Sequence, residues 1–247
     1  MKKTLVEVCC GSADDVIRSY QAGADRVELN SNLFLGGLTP SLGELIVASR
    51  QTDIEIIAML RPREGGFCYT EMEFATIIED ARLLLANGAD GLVFGFLHSD
   101  GTIDVERTKT LIALANGRPC VFHRAFDVVP DWKTALDTLI ELGIRRVLTS
   151  GQESNVFFAT DTVRDMIHYA DGRIEILPGA GITLKNMQRV ITETGCDQIH
   201  VACHQPQIDT STNNNRQIFF GGALYPPEDR FNMIDPDAIS QIIKTLQ

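Results

Sequence analysis

Gly23-Ala24-Asp25-Arg26-Val27-Glu28-Leu29 is the stretch that decides the fold, because close variants of it recur along the 247-residue chain. In each copy a helical stretch ends in glycine, a short polar link follows, and an apolar strand begins. Glycine suits the left-handed position just past a helix end because it has no Cβ to clash. The other copies span residues 88–94, 143–149 and 195–201. This repeat predicts helices and strands in strict alternation.

Four further apolar runs lie between the copies, at residues 5–8, 54–60, 119–122 and 174–177, which gives eight predicted strands. Alternating strands and helices form parallel sheets. We favour an α/β fold of the closed (β/α)₈ TIM-barrel type, as one domain over residues 1–247, because such barrels take about 250 residues. Four βαβα units would also fill its eight strands evenly. The alternative, an open doubly wound sheet, lacks its dinucleotide signature after the first strand, where Cys9-Cys10-Gly11-Ser12 stands.

Short polar side chains mark the predicted helix starts. A side-chain oxygen at the N-cap accepts a hydrogen bond from an otherwise unpaired backbone N–H, and Thr70 with Glu73 fits a reciprocal capping box. Proline suits the first helical position, as expected at Pro40 and Pro236. The other predicted N-caps are Ser12, Asp104, Asp131 and Thr183.

The composition limits the classes of partner. A formal net charge of −11 repels phosphate backbones and anionic lipids, so we expect neither nucleic acid nor a membrane as a partner. Glu7 interrupts the N-terminal apolar run, and no run approaches the ~18 apolar residues of a membrane helix. These features predict a cytoplasmic protein. The six cysteines include no Cys-x-x-Cys pair, so they should be free thiols rather than disulfides or a structural zinc site.

Polar residues cluster at the predicted carboxyl ends of the strands. Alternation along a strand puts Glu7 with Cys9, and Glu28 with Asn30, on the face opposite the apolar residues, which we assign to the barrel interior. Sites of such barrels lie at this end. An alternative is that Glu28 only forms a buried ion pair with Arg26 or Arg61. The candidate catalytic residues are Glu7, Glu28, Arg61, His123, Arg124, Asp127, Ser150 and His200.

Gly179-Ala180-Gly181 follows the seventh strand, just before a helix predicted to start near Thr183. Glycines let backbone N–H groups approach an anion, and a helix N-terminus favours negative charge. Gly179 and Gly181, with Arg61 and Arg124, are therefore the predicted anion-binding residues; a tight turn is the alternative. No lysine occupies a strand end and no Gly-x-Ser-x-Gly is present, which disfavours a Schiff-base aldolase and a serine hydrolase.

The segment from Gln205 to Arg216, rich in Asn, Thr and Gln, follows the eighth predicted strand. It is either a solvated insertion or a flap over the barrel mouth, since loops that follow the strands lie there.

Several stretches up to about His200 resemble a known family. They are LVEVC at 5–9, GADRVEL at 23–29, GGLTPS at 36–41, RPR at 61–63 with FCY at 67–69, FHRAFD at 122–127 and VLTSG at 147–151. Together they resemble the CutC family of copper-homeostasis proteins. The resemblance implies a β/α barrel, a cytoplasmic location, dimer-type oligomers, and copper binding or tolerance.

The resemblance also implies metal-binding cysteines at the ends of strands one and two. Cys9 matches the first, but Asn30 stands at the second and is no ligand for soft Cu(I). Strand eight should neighbour strand one, so Cys203 and His200, with His204 as a further candidate, could complete a site with Cys9. Alternatively, Cys9 and Cys203 are small buried apolar residues, as most free cysteines are.

Three hypotheses remain open at this point. The first is a cytosolic Cu(I)-binding protein. The second is an enzyme acting on a small phosphorylated or carboxylated metabolite, with Glu7 or Glu28 as base and His123 as acid, or with a divalent metal held by these three residues. The third is a scaffold that works only through protein partners, for which Trp132 and Phe157-Phe158 would form an exposed apolar face. Alternatively, these side chains pack against the barrel or form a homodimer contact.

Overall fold

A computed structural model describes residues 3–221 and 227–246 of the chain. Eight strands alternate with helices, and an antiparallel pair follows the eighth strand. The strands are β1 Leu5–Cys10, β2 Arg26–Leu29, β3 Glu55–Met59, β4 Gly91–Phe94, β5 Cys120–Phe122, β6 Arg146–Thr149, β7 Glu175–Pro178, β8 Gln198–Val201, β9 His204–Ile208 and β10 Arg230–Ile234. The α-helices are α1 Ala13–Gln21, α2 Leu42–Gln51, α3 Glu71–Ala86, α4 Val105–Ala115, α5 Trp132–Leu142, α6 Thr160–Ala170, α7 Met187–Thr194 and α8 Pro236–Leu246.

The eight strands form one parallel sheet that curls into a nearly closed barrel. The hydrogen-bonded order runs from β7 through β6, β5, β4, β3, β2 and β1 to β8. Strand β7 also lies beside β8, which brings the two ends of the sheet together. The predicted (β/α)₈ TIM barrel is therefore confirmed. No helix in the two described ranges is long and apolar enough to cross a membrane.

The apolar core has two parts. The larger part lies between the sheet and the surrounding helices and includes Cys120 and Cys196. The smaller part lies inside the barrel, on β3 to β5, and consists of Ile57, Met59, Val93 and Val121. On β1, β2, β6 and β8 most interior positions are instead polar and buried, with Leu148 of β6 as an apolar exception. The buried polar residues are Glu7, Arg26, Glu28, Arg146, Gln198 and His200. The interior is thus half apolar and half ionic, which confirms that the polar face of β1 and β2 points inward.

Local signals at the helix ends are mostly confirmed. Gly143 and Gly195 cap α5 and α7 with φ of 80° and 72°, and Thr70 forms the capping box of α3 with Glu73. Ser12, Asp104 and Asp131 cap α1, α4 and α5 through their side chains, and Pro236 opens α8.

Two predicted helix starts are wrong by a few residues. Thr183 does not cap α7, because the Asn186 side chain accepts from the Thr183 N–H and donates to the Gly181 carbonyl, which holds this segment as a turn. Similarly, Pro40 lies outside α2, since the Ser41 hydroxyl accepts from the Glu44 N–H and makes Ser41 the N-cap.

The segment after β8 contains a two-stranded hairpin. β9 pairs with β10 in an antiparallel register that joins His204 to Ile234 at its base. The Ile234 N–H donates to the buried Asp15 carboxylate of α1, 2.7 Å away, and so ties the hairpin to the barrel. Residues 209–216 lie beyond β9 and are mostly exposed. The part of 205–216 nearest the barrel is therefore strand.

Candidate functional site

A cavity of about 680 Å³ opens at the carboxyl ends of the strands. Side chains from the ends of several strands line it, together with the loops after β2, β3 and β7. The predicted residues found in its lining are Cys9, Glu28, Arg61, His123, Arg124, Asp127, Gly181, His200 and His204. The prediction that these side chains share one mouth agrees with this geometry. Glu7, Ser150, Gly179 and Cys203 are not part of the lining.

A layer of paired charges lies directly below the cavity. Arg26 Nε donates to Glu7, and Arg26 Nη2 donates to Gln198 Oε1 at 2.9 Å. His200 Nδ1 lies 2.7 Å from the other Glu7 oxygen. Burial alone would raise the pKa of Glu7, but the His200 hydrogen bond and the Arg26 charge outweigh it and lower the pKa to about 2. Glu7 is therefore a firmly charged partner and a weak base.

The ion pair in this layer corrects one alternative derived from the sequence, in which Glu28 pairs with Arg26. Arg26 pairs with Glu7 rather than with Glu28. The strand register explains this pairing. Arg26 of β2 lies opposite Glu7 of β1, whereas Glu28 lies opposite Cys9, two residues further along both strands. Glu28 accepts instead from Asn30 Nδ2, 2.9 Å away.

Three donors above this layer could hold a metal ion. One ligand atom each from Cys9, Glu28 and His200 lies within 4.8 Å of the others, and Glu28 and His200 are buried. They come from the neighbouring strands β1, β2 and β8. Because His200 uses Nδ1 for Glu7, Nε2 is the nitrogen left for a metal. Ligating histidines commonly bind a carboxylate through the other ring nitrogen in this way.

The protonation of these donors follows from their burial and mutual charges. Burial, with the nearby Glu28 charge, raises the pKa of the Cys9 thiol well above its usual value. Burial also raises the pKa of Glu28. Burial would lower the pKa of His200, but the bond to Glu7 and the charge of Glu28 raise it. A cation would favour the deprotonated form of all three donors.

Asn30 holds two of these donors in place. Its Nδ2 donates to Glu28 and lies 3.7 Å from Cys9 Sγ, while its own Oδ1 is buried without a hydrogen-bond partner. Sequence reasoning excluded Asn30 as a ligand for soft metals and missed this positioning contact. The only available signal was its place on the inward face two residues after Glu28.

Cys203 does not join the metal group formed by the described residues. It lies past the end of β8, half-buried against the core between sheet and helices. Burial raises the pKa of its thiol to about 11. Of the predicted metal set, the structure therefore brings Cys9 and His200 together, and Glu28 stands where Cys203 was expected.

Arg61 and His123 line another part of the cavity. The Arg61 guanidinium donates to the carbonyls of Leu35, Gly37 and Gly65, and its Nε has no partner although the residue is 7% exposed. The Phe67 ring contacts both residues: its centroid lies 5.4 Å from the Arg61 guanidinium carbon and 4.9 Å from the centroid of the His123 ring.

His123 is a buried neutral histidine. Its Nδ1 accepts from the Ala125 N–H at 3.1 Å, so the ring proton must sit on Nε2, which has no partner. Burial, with the Arg61 charge, lowers its pKa to about 3. A ring with this pKa donates a hydrogen bond but is not protonated at neutral pH, so it is poorly suited to the predicted role of general acid.

Arg124, Asp127 and Ser150 form a separate network at the rim. Arg124 donates to Asp127 at 2.8 Å and to the Ser150 hydroxyl at 2.9 Å. The Ser150 hydroxyl and amide in turn donate to Asp127. These contacts tie the loop after β5 to the end of β6, and they leave Arg124 with its charge already balanced.

The two glycines of the predicted anion cradle have different surroundings. A side chain at Gly179 would meet Leu148 at 2.7 Å and His200 at 3.2 Å, so Gly179 allows close packing below the mouth. Gly181 has φ of 81° and lines the cavity beside Asn155. Since α7 begins only at Met187, no helix N-terminus follows Gly181 directly.

Comparison with known proteins places these features in a family. The CutC family matches residues 4–205. The chain belongs to the CutC family. A CutC family protein of Treponema denticola is 53% identical over 246 residues and covers all of both chains. The human copper homeostasis protein cutC homolog is 39% identical, over 94% of this chain and 85% of the human protein.

Solved structures agree with the CutC assignment. A crystal structure of a CutC protein from Streptococcus agalactiae has a TM-score of 0.76 and 37% identity, and covers 80% of this chain and 97% of that one. Phosphoribosylanthranilate isomerase from Thermotoga maritima has a TM-score of 0.54 at 14% identity, which shows a shared barrel fold alone. The expected CutC resemblance is thus confirmed, and relatives of this CutC chain carry the name copper homeostasis protein.

Proposed function

We propose that this CutC family member takes part in copper homeostasis by binding one Cu(I) ion through the Cys9 thiolate and the His200 imidazole, with the Glu28 carboxylate beside them. The observation that carries the proposal is the convergence of three donors from three strands within 4.8 Å, with His200 already oriented by Glu7.

The choice of copper rests on the donor chemistry together with the names of the relatives. A thiolate favours Cu(I), and imidazole suits copper and zinc, while a carboxylate adds affinity for harder divalent ions. Zn²⁺ is therefore the ion to compare with Cu(I). Binding would displace the Cys9 proton, because ligands bind metal in their deprotonated form.

Titration of the reduced protein with Cu(I) against a competing chelator tests the proposal. Cys9→Ser and His200→Gln should each weaken binding by about tenfold or more. Cys203→Ser is the matched control, since it removes a nearby half-buried thiol outside the group and should leave affinity unchanged. Circular dichroism verifies that each variant is folded. Equal affinity in wild type and Cys9→Ser, or an equal loss in Cys203→Ser, would overturn the proposal.

We also propose a cytoplasmic location and a homodimer. The six cysteines are free thiols, which fits a reducing compartment. Apolar side chains such as Phe34 and Phe158 are exposed at loops after β2 and β6 and could contribute to a contact between copies. Light scattering after size exclusion tests the dimer, and a monomeric mass at all concentrations would contradict it.

Acid–base catalysis on a metabolite gains less support from the geometry. The pKa of Glu7 is about 2 and that of His123 about 3, so neither group exchanges a proton near neutral pH. Glu28, the other proposed base, has a raised pKa but is left without His123 as its acid partner. Ideal catalytic groups have pKa values near the working pH. We therefore rank metal binding above this alternative.

A further inference from the structure

The Arg61 charge is not balanced by the protein. Its three hydrogen bonds go to neutral backbone carbonyls, and it forms no ion pair with any residue of the ranges 3–221 and 227–246. A buried cation without a counter-charge is costly. Such a group persists most readily where a bound anion supplies the missing charge.

The acidic groups on the strands and loops around the cavity do not supply it. Glu28, which lines the same cavity, accepts a hydrogen bond from Asn30 and forms no ion pair with Arg61. Burial raises the pKa of Tyr69 to about 12, so its hydroxyl stays neutral. Glu73 is engaged by Arg63 through a bond of 2.6 Å and caps α3. Across the cavity Asp127 is shared by Arg124, Ser150 and Thr149. The positive charge at Arg61 therefore remains available to a ligand in the cavity.

His123 adds a second donor beside the first. Its Nε2–H is buried and unpartnered, and the ring lies against the same Phe67 that packs on Arg61. Buried donors are rarely left unpaired in folded proteins, because the lost hydrogen bond costs free energy. Arg61 and His123 thus offer a cationic donor and a neutral donor to one cavity of about 680 Å³.

We propose that this cavity binds the carboxylate of a small organic acid, held by Arg61 and by the Nε2–H of His123. Two N–H donors match the two oxygens of a carboxylate. One unbalanced positive charge neutralises one negative charge, which disfavours a phosphate dianion. The Glu28 carboxyl group, which lines the same cavity, would when ionised repel a dianion more strongly than a monoanion. This site is independent of the metal proposal, since neither Arg61 nor His123 belongs to the metal group.

Calorimetric titration of the metal-free protein with glycolate, in the presence of a chelator, tests the inference. Inorganic phosphate is the comparison anion. Glycolate should bind with 1:1 stoichiometry and more tightly than phosphate. His123→Asn should weaken glycolate binding by about tenfold, the effect of losing one hydrogen bond to a charged group. Asn can still accept from the Ala125 N–H, so this variant should fold.

Matched variants separate this site from the metal group. Arg145→Gln removes an exposed arginine at the opposite end of the barrel and should leave glycolate affinity unchanged. Cys9→Ser should weaken metal binding by about tenfold or more and spare glycolate binding. In isotopically labelled protein, glycolate should shift the His123 Nε2 resonance. Absence of glycolate binding, tighter phosphate binding, or unchanged affinity in His123→Asn would each overturn the inference.

Discussion

Acidification should destabilise this protein through His123, and replacement of His123 by asparagine should remove that part of the effect. The ring is buried and its Nδ1 accepts from the Ala125 N–H. Protonation would therefore bring an unpaired charge next to Arg61 and remove a hydrogen-bond acceptor. Asparagine keeps an acceptor at the same place without titrating.

The magnitude follows from the two protonation states. The pKa of His123 is about 3 in the folded protein, against 6.5 for an unperturbed histidine. Below about pH 6.5 the unfolded chain takes up a proton that the folded chain refuses, so stability falls as the pH falls towards 3. At about pH 5 this difference amounts to roughly 2 kcal/mol, since each unit between the pH and the unfolded pKa contributes about 1.4 kcal/mol.

Urea unfolding of both proteins at about pH 7.5 and about pH 5 measures the effect. The wild type should lose about 2 kcal/mol more than His123→Asn between the two values. Other groups contribute to both proteins and cancel in the comparison; His200, for example, has a raised pKa and acts in the opposite direction. His98→Asn, at an exposed position, should behave like wild type. Equal losses in wild type and His123→Asn would refute the assignment of a neutral buried ring.

Three further predictions concern the charged groups. Glu7→Gln should lower the free energy of unfolding by about 3–5 kcal/mol in urea titrations, because it leaves Arg26 buried without its partner; a loss below 1 kcal/mol would contradict this reasoning. Asp127→Asn should cost about 2 kcal/mol by the same assay, since it weakens the contacts to Arg124 and Ser150. Addition of Cu(I) should release protons, and the affinity for Cu(I) should rise with pH, because the raised pKa keeps Cys9 protonated in the free protein. A pH indicator measures the proton release, which should be smaller in Cys9→Ser.

The fold could be predicted from the sequence because its signals are local. A glycine such as Gly143 ends a helix through its own backbone preference, and an apolar run marks the next strand wherever its neighbours lie. Helix starts were less predictable, since two nearby polar residues compete for the same N–H groups. Ser41 displaced the expected start at Pro40, and Asn186 held Thr183 in a turn.

Many of the side chains that line the candidate site could be predicted from the sequence, but their pairings could not. Alternation along β1 and β2 places Glu7, Cys9 and Glu28 inside the barrel. The ion-pair partner of each charged side chain depends on the register between strands that are far apart in sequence. That register sets Glu7 between Arg26 and His200, and sets Glu28 beside Cys9. Cys203 was misplaced for a related reason, since it follows the last residue of β8 and strand alternation no longer governs it.

The barrel interior has two polar levels, a lower one around Glu7 and an upper one that faces the cavity. We infer that the lower level stabilises the fold and that the upper level binds ligands. In the lower level Glu7 and Arg26 balance each other, so this level stabilises the closed sheet without a guest. In the upper level the acidic and basic groups are not paired. The Cys9 thiol and the Glu28 carboxyl group lie close to His200, whereas the Arg61 guanidinium donates only to neutral backbone carbonyls. Direct contact between these opposite charges would have satisfied both. Because the cavity keeps them apart, each can satisfy a guest of opposite sign, a cation at Cys9 and Glu28 and an anion at Arg61.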